Sequence, residues 1–233
     1  MDFRDRHVVV TGGTGALGIA VVGLLIDHGA ICHVPYRSEA AAKLFPQRGH
    51  AKVTLYPDVE LSNEEHVADF FDAIPRLWAS IHAAGGFAAD ALAKTAKATL
   101  TQQLDANLVS CFLCCRAAVN VFSRGKSGGR IVNVAARPAL EWRQGSGMAA
   151  YAAAKAGVAA LTAALAEEVA GDGILVNAVA PSIMDTPANR KSIPNADYST
   201  WPKVEEVAAT ILFLASPQSA VTRGGIVPVY GRA

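Results

Sequence analysis

Tyr151 and Lys155 stand four residues apart in an alanine-rich stretch, 148–169, whose spacing predicts a helix, so phenol and ammonium share one helix face. A free tyrosine, with a pKa near ~10, is a poor proton donor or acceptor at neutral pH. A lysine ammonium beside it stabilises the phenolate and is expected to draw that pKa toward the working range. Such a pair also arises by chance on exposed helices, and it gains meaning from a second cluster upstream. Thr11-Gly12-Gly13-Thr14-Gly15-Ala16-Leu17-Gly18 follows a short apolar run, 7–10, and opens a helical pattern over 16–27. Glycines between a strand and a helix let a pyrophosphate reach the free N–H groups of the helix start, where side chains would block it. No Lys-Ser/Thr pair follows, which removes a P-loop nucleotidase.

A second predicted strand, 30–36, ends in Val34-Pro35-Tyr36-Arg37-Ser38. A carboxylate at this place accepts the ribose hydroxyls of NAD, whereas an arginine accommodates the 2′-phosphate of NADP. Arg37 stands there without an acidic neighbour, so the residues favour NADP(H) and leave NAD(H) as the alternative. Asp58, just past a third strand over 52–56, is placed to accept from an adenine amine or to act as a turn residue.

The elements that must position these groups alternate. Strands are expected at 7–10, 30–36, 52–56, 78–83, 130–135 and 174–179. Helices are expected at 16–27, 39–45, from Asn63 onward, at 100–122 and at 148–169. Strand–helix–strand crossovers imply an α/β fold, a doubly wound parallel sheet with helices on both faces. Ligands of such sheets sit beyond the carboxyl ends of the strands, which is where the glycine turn and Arg37 fall. The stretch 181–202 holds four prolines and little periodicity. It is read as a lid overhanging that crevice.

The chain has 233 residues, 52% hydrophobic and 18% charged, with a net charge of +1. One domain spanning 1–233 follows, with no electrostatic reason to bind nucleic acid or an anionic membrane. The first strand starts near His7, leaving no room for a signal peptide, and no apolar run reaches the roughly 18 residues of a membrane span, so a cytoplasmic protein is expected. Cys111 and Cys114 have C-x-x-C spacing, but no second ligand pair follows and their flanks are apolar; with Cys115 and Cys32 they read as packing residues, and no metal is expected. His82, at a strand end, reads as a structural histidine.

Taken together, the turn TGGTGALG, Asp58, Ala83-Ala84-Gly85-Gly86, Asn107, Tyr151-Ala-Ala-Ala-Lys155 and Asn177-Ala-Val-Ala-Pro181 resemble the short-chain dehydrogenase/reductase family over essentially the full chain. That resemblance implies a Rossmann-type fold and an NAD(P)H-dependent oxidoreductase acting on a small molecule. It implies Tyr151 as proton donor or acceptor, Lys155 as its partner and ribose ligand, and Asn107 steadying a water linked to that lysine. Gly12, Thr14, Gly15, Leu17, Gly18, Ala84, Gly85, Pro181, Ile183 and Thr186 would contact the cofactor, and a homodimer or homotetramer would form through the two long helices. Two departures stand out: His82 and Ala83 replace the family's two adjacent asparagines, and Ala136 occupies the place of the catalytic serine. The serine-free branch of quinoid dihydropteridine reductases is similar across 185–201, which implies reduction of a pteridine-like ring. A generic carbonyl or alcohol reductase, such as a 3-oxoacyl reductase, with Ser146, Ser182 or a water in the serine's place is the alternative. A cofactor-binding protein without turnover is the third.

Overall fold

The computed structural model describes residues 1–233 as a seven-stranded sheet in which every pair is parallel. The order along the chain is β1 (His7–Thr11), α1 (Ala16–Asp27), β2 (Ile31–Pro35), α2 (Glu39–Lys43), β3 (Val53–Tyr56), α3 (Glu64–Asp72) and β4 (Leu77–His82). Then follow α4 (Lys97–Leu104), α5 (Ser110–Gly125), β5 (Gly129–Val134), α6 (Arg137–Leu140), α7 (Ala149–Glu168), β6 (Ile174–Pro181), α8 (Pro187–Ser192), α9 (Val204–Ala215) and β7 (Ile226–Val229). The spatial order β3-β2-β1-β4-β5-β6-β7 reverses direction between β1 and β4, and Thr11 lies beside His82 in that pairing. Crossover connections leave the two faces there on opposite sides, so the crevice for a ligand opens at this switch point.

Alternation along each strand divides the core in two. Val8 and Val10 pack with Val21, Val22 and Leu25 of α1 and with Ile211 and Leu212 of α9. Val9 faces the other side, with Phe70 and Phe71 of α3, Phe122 of α5 and Val158 of α7. Both faces of the sheet are thereby covered, as β-branched strands buried on two sides require. Trp78 Nε1 donates to the Ala215 carbonyl at 2.9 Å, fixing the end of α9 to β4.

The expected elements are present with end shifts of a few residues, and three features differ. The helix expected at 100–122 begins at Lys97 and runs to Gly125 through a five-residue π turn, Asp105–Val109. The stretch 181–202 is not structureless: Thr186 caps α8 by accepting from Asn189 N, and a 3-10 turn covers Tyr198–Thr200. Asp185 binds Arg190 through two hydrogen bonds, 2.6 and 2.8 Å, and its N–H donates to the Pro202 carbonyl. Elements α9 and β7, which complete the first core and the sheet edge, lie outside the sequence expectations altogether. Two helical stretches, Lys97–Gly125 and Ala149–Glu168, are also long and apolar enough to cross a membrane by length and composition, where no such run was expected. Scattered charges interrupt both, so neither shows as an unbroken apolar run. Each is a crossover between neighbouring strands of the one sheet.

On the β2–β3 side a half-buried polar chain links His7 Nδ1 to His33 Nε2 and His33 Nδ1 to Tyr56 Oη, both at 2.8 Å. Burial lowers the His33 pKa to about 4, with the neighbouring His7 adding to the shift. A folded pKa below the unfolded value of ~6.5 means that the unfolded chain takes up the proton first on acidification. This contribution is therefore complete above about pH 6.5 and is lost as pH falls toward about 4. The thermal midpoint should drop across this window, and His33→Gln should flatten the drop; equal slopes in both proteins would remove His33 as its source.

Candidate active site

The glycine turn is built by close backbone approach. Gly12 has φ +66°, and a Cβ there would lie 2.6 Å from Ala84 N; a Cβ on Gly18 would lie 2.1 Å from the Gly12 carbonyl oxygen. Neither position admits a side chain. Gly15 is the N-cap of α1, which has no side-chain cap and no acidic residue in its first turn. The first N–H groups of α1 and the positive end of its dipole thus face the crevice without a competing carboxylate. A cleft of about 810 Å³ runs from Gly12 and Thr14 past Tyr36, Arg37 and Glu60 to Ala84 and Gly85. The turn, the uncapped helix start and this cleft fit a dinucleotide pyrophosphate.

Gly85 is shared with a second cavity of about 260 Å³. Leu17, Phe87, Asn107, Ala136, Tyr151, Lys155, Pro181, Ser182 and Met184 are among its lining residues. Residues from β5, α7, β6 and the π turn are therefore gathered at one place. Lys155 is buried and donates from Nζ to the Val134 carbonyl at 2.7 Å. It lies 6.0 Å from the centre of the Tyr151 ring, whose other neighbour is Phe87, edge-on at 5.0 Å.

The electrostatics depart from expectation. Burial pushes the Tyr151 pKa up to about 12 and that of Lys155 down to about 8. The ammonium is engaged by a backbone carbonyl rather than by the phenol oxygen, so desolvation outweighs its stabilisation of a phenolate.

Asn107 sits inside the π turn, fully enclosed. Its Nδ2 donates to the carbonyls of Gly86 at 3.0 Å and Gln103 at 2.9 Å, while Oδ1 accepts from Gly86 N at 3.2 Å. The side chain clamps the Gly85-Gly86 loop that closes the cleft; a Cβ on Gly85 would lie 2.7 Å from Asn107 Oδ1 and 3.5 Å from Lys155 Nζ. The structure shows a side chain that binds backbone on both ends.

Other expected residues are placed differently. Arg37 reaches the cleft, but its guanidinium is 75% exposed and paired with Glu60 at 2.7 Å, which holds the Glu60 carboxyl below its usual range. Glu60 carried no sequence signal because the ion pair spans a loop. Asp58 is exposed, with φ +58°, and Val59 and Glu60 line the cleft in its stead. Ile183 is exposed, Thr186 is the cap of α8, and neither lines the two cavities. Ser146 is exposed away from the Tyr151 cavity, whereas Ser182 lines it and donates to the Tyr230 carbonyl at 2.9 Å. Tyr198 and Trp201 pack on each other, with ring centres 5.0 Å apart, and neither faces that cavity. His82 is buried with both ring nitrogens partnered, by Ser80 Oγ at 2.7 Å and Asn133 Oδ1 at 2.8 Å.

With this fold and site, the chain belongs to the short-chain dehydrogenase family: the model described as short chain dehydrogenase matches residues 6–197. It is an oxidoreductase of that type. It is 34% identical to galactitol 2-dehydrogenase of Rhizobium johnstonii, covering 96% of this chain and 93% of that protein. It is 31% identical to 3beta-hydroxysteroid dehydrogenase 1 of Eggerthella lenta, covering 99% and 94%. It is also 28% identical to the 3-oxoacyl-(acyl-carrier-protein) reductase FabG of Chlamydia muridarum, covering 97% and 96%. Among solved structures it superposes on gox2181 with a TM-score of 0.88 at 27% identity, over 99% of this chain and 96% of that one. It superposes on ElxO with NADP bound at a TM-score of 0.88 and 23% identity, over 97% and 98%, a likeness of fold.

Truncating the clamp tests its weight. Asn107→Ala leaves the Gly86 N–H and carbonyl without their partner and should cost roughly 1–3 kcal/mol of stability, read by urea unfolding. An unchanged midpoint would show that the loop holds itself.

Proposed function

We propose that this protein is an NADP(H)-dependent oxidoreductase working on a carbonyl or hydroxyl carbon of a small, partly apolar molecule, with Tyr151 as its proton donor or acceptor. The observation that carries this reading is the single cavity bordered by Tyr151, Lys155 and Asn107 that meets the glycine turn through Gly85. Gly12, Thr14, Gly15, Leu17, Gly18, Ala84, Gly85 and Pro181 would hold the dinucleotide, which when bound supplies or accepts the hydride. Tyr151, kept protonated by burial, is suited to give a proton to the oxygen of a reduced carbonyl. Lys155 remains largely charged at neutral pH and supports the phenolate that this leaves behind. Asn107 acts as a positioning residue through Gly86. With Ala136 unable to bind an oxygen, Ser182 is the hydroxyl in the cavity that can take that place. The named relatives include dehydrogenases of a polyol and a steroid and a reductase of an oxoacyl chain, which supports the carbonyl or hydroxyl reading.

Reduction of a pteridine-like ring is the second reading. It rests on Ala136, since a conjugated C=N acceptor develops no alkoxide to be cradled; the named relatives lend it no support. The reading also takes in a homodimer or homotetramer. Ala153, Ala160 and Ala164 of α7 are exposed at helical spacing, a small apolar strip that suits a second copy.

An NADPH-consumption assay across ketones, oxoacyl thioesters and quinoid dihydropterin separates the readings. Turnover of carbonyls is expected, with Tyr151→Phe lowering kcat by about 100-fold or more and leaving NADPH binding nearly intact. Turnover of the pterin alone would favour the second reading, and near-normal kcat in the variant would remove Tyr151 from its role.

Cofactor choice gives a further test. Arg37→Ala should weaken NADPH more than NADH, whereas Glu60→Gln, which frees the guanidinium, should tighten NADPH selectively. Equal changes for both cofactors would defeat the 2′-phosphate assignment.

A further inference from the structure

We propose that His82, Cys111 and Cys115 form a binding site for one soft divalent metal ion, of the zinc or cadmium class, in the layer beneath Lys155. Their three ligand atoms, an imidazole nitrogen and two thiol sulfurs, lie within 4.8 Å of one another and all three residues are buried. The sequence drew attention to Cys111 and Cys114, but the fold selects differently. Residues four apart on α5 share a face, and β4 brings His82 against that face. Cys115 Sγ stands 3.5 Å from His82 Nδ1 and 3.5 Å from Asn133 Oδ1. Metal bonds of about 2.0–2.3 Å to nitrogen and sulfur, arranged tetrahedrally, give ligand-to-ligand edges of about 3.5 Å. Asn133 Oδ1, now 2.8 Å from His82 Nδ1, is the neighbouring oxygen that can complete the set as a fourth donor once that edge opens by about half an ångström. Two soft sulfurs, one imidazole and one carbonyl oxygen select a zinc-class ion over magnesium or calcium.

The surroundings suit such a site. Asn133 Nδ2 donates to Thr162 Oγ1 at 2.9 Å, and that hydroxyl donates to the Val158 carbonyl at 2.7 Å. The amide is thereby fixed with its oxygen toward His82 and Cys115. In the metal-free arrangement His82 Nδ1–H donates to this oxygen and Nε2 accepts from Ser80 Oγ. On metal binding the ring proton moves to Nε2, Ser80 Oγ becomes its acceptor, and Nδ1 is left to coordinate. A hydrogen-bond acceptor on the far nitrogen is the usual outer support of a histidine ligand. Each thiol gives up its proton, so the two thiolate charges neutralise a divalent ion and no net charge is buried. Asn133 immediately precedes Val134, whose carbonyl holds Lys155 Nζ. The site therefore ties β4, β5 and α5 together directly behind that lysine.

The full chain, produced in zinc-supplemented medium and purified without chelator, should carry close to one equivalent of zinc by elemental mass spectrometry. Refolded with cobalt(II), it should show sulfur-to-metal charge-transfer absorption and the visible bands of a tetrahedral ion. Cys111→Ser and Cys115→Ser should each lower cobalt affinity at least tenfold, whereas Cys114→Ser, in an equally buried thiol outside the ligand set, should leave it unchanged. Wild-type protein with neither zinc nor a cobalt–thiolate spectrum would overturn the proposal, and so would an equal loss in Cys114→Ser. The wild-type spectrum decides the matter even where a serine variant fails to fold.

Discussion

The site depends on one steric constraint, the approach of the Gly12 backbone to Ala83 and Ala84 where β1 and β4 end side by side. Parallel strands in this register bring two loops from distant parts of the chain into van der Waals contact. The approach is possible only because no Cβ intervenes. It closes the floor between the two cavities and aims the start of α1 along the crevice. Asn107 then holds the β4 side of this junction from below, satisfying the Gly86 backbone that a tight loop would otherwise leave bare. Gly85, on the β4 loop, lines both cavities, so the helix N-terminus and the Tyr151–Lys155 cavity meet at this junction.

Much of this was legible in the sequence because the signals are local. A glycine-rich turn between a strand and a helix, and a tyrosine and lysine one turn apart, need only short-range spacing to be read. The alternation of strands and helices specified the parallel sheet by the same logic. Features set by distant contacts were not legible. The Arg37–Glu60 pair, the clamp of Asn107 on Gly86, and the meeting of His82 with Cys111 and Cys115 all depend on which strands become neighbours. Elements α9 and β7 carry no glycine turn or paired chemical residues to mark them, although α9 is strongly apolar. The electrostatic expectation for Tyr151 failed for a related reason. Spacing gives the distance between two groups, but not which other acceptor the lysine will choose or how far both are taken from water.

The 181–202 stretch shows how polar side chains impose order where periodicity is lacking. Prolines make it read as irregular, yet Thr186 caps a helix at once and Asp185 holds Arg190 from both oxygens. Tyr198 Oη reaches back to the Pro194 carbonyl at 2.8 Å. The segment is also tied to the C-terminal end of the chain, Arg232 N–H donating to the Thr200 carbonyl and Ser182 Oγ to the Tyr230 carbonyl. Its contribution to the Tyr151 cavity is made by Pro181, Ser182 and Met184, at the root, and not by the aromatic residues near its tip.

The π turn in the helix between β4 and β5 carries a consequence for sequence change. Such a turn holds one residue more than its α-helical counterpart, so everything beyond it is out of phase with an unbroken helix by about 100°. Rewinding Asp105–Val109 as ordinary α-helix with every residue kept would turn all that follows by that angle. That rotation would swing Cys111 and Cys115 away from β4 and bring Ser110 and Cys114 round in their place, whereas losing one residue together with the turn would leave the facing of both cysteines unchanged. The wide turn, rather than any particular side chain beyond it, therefore sets the angular frame that the buried half of this helix obeys.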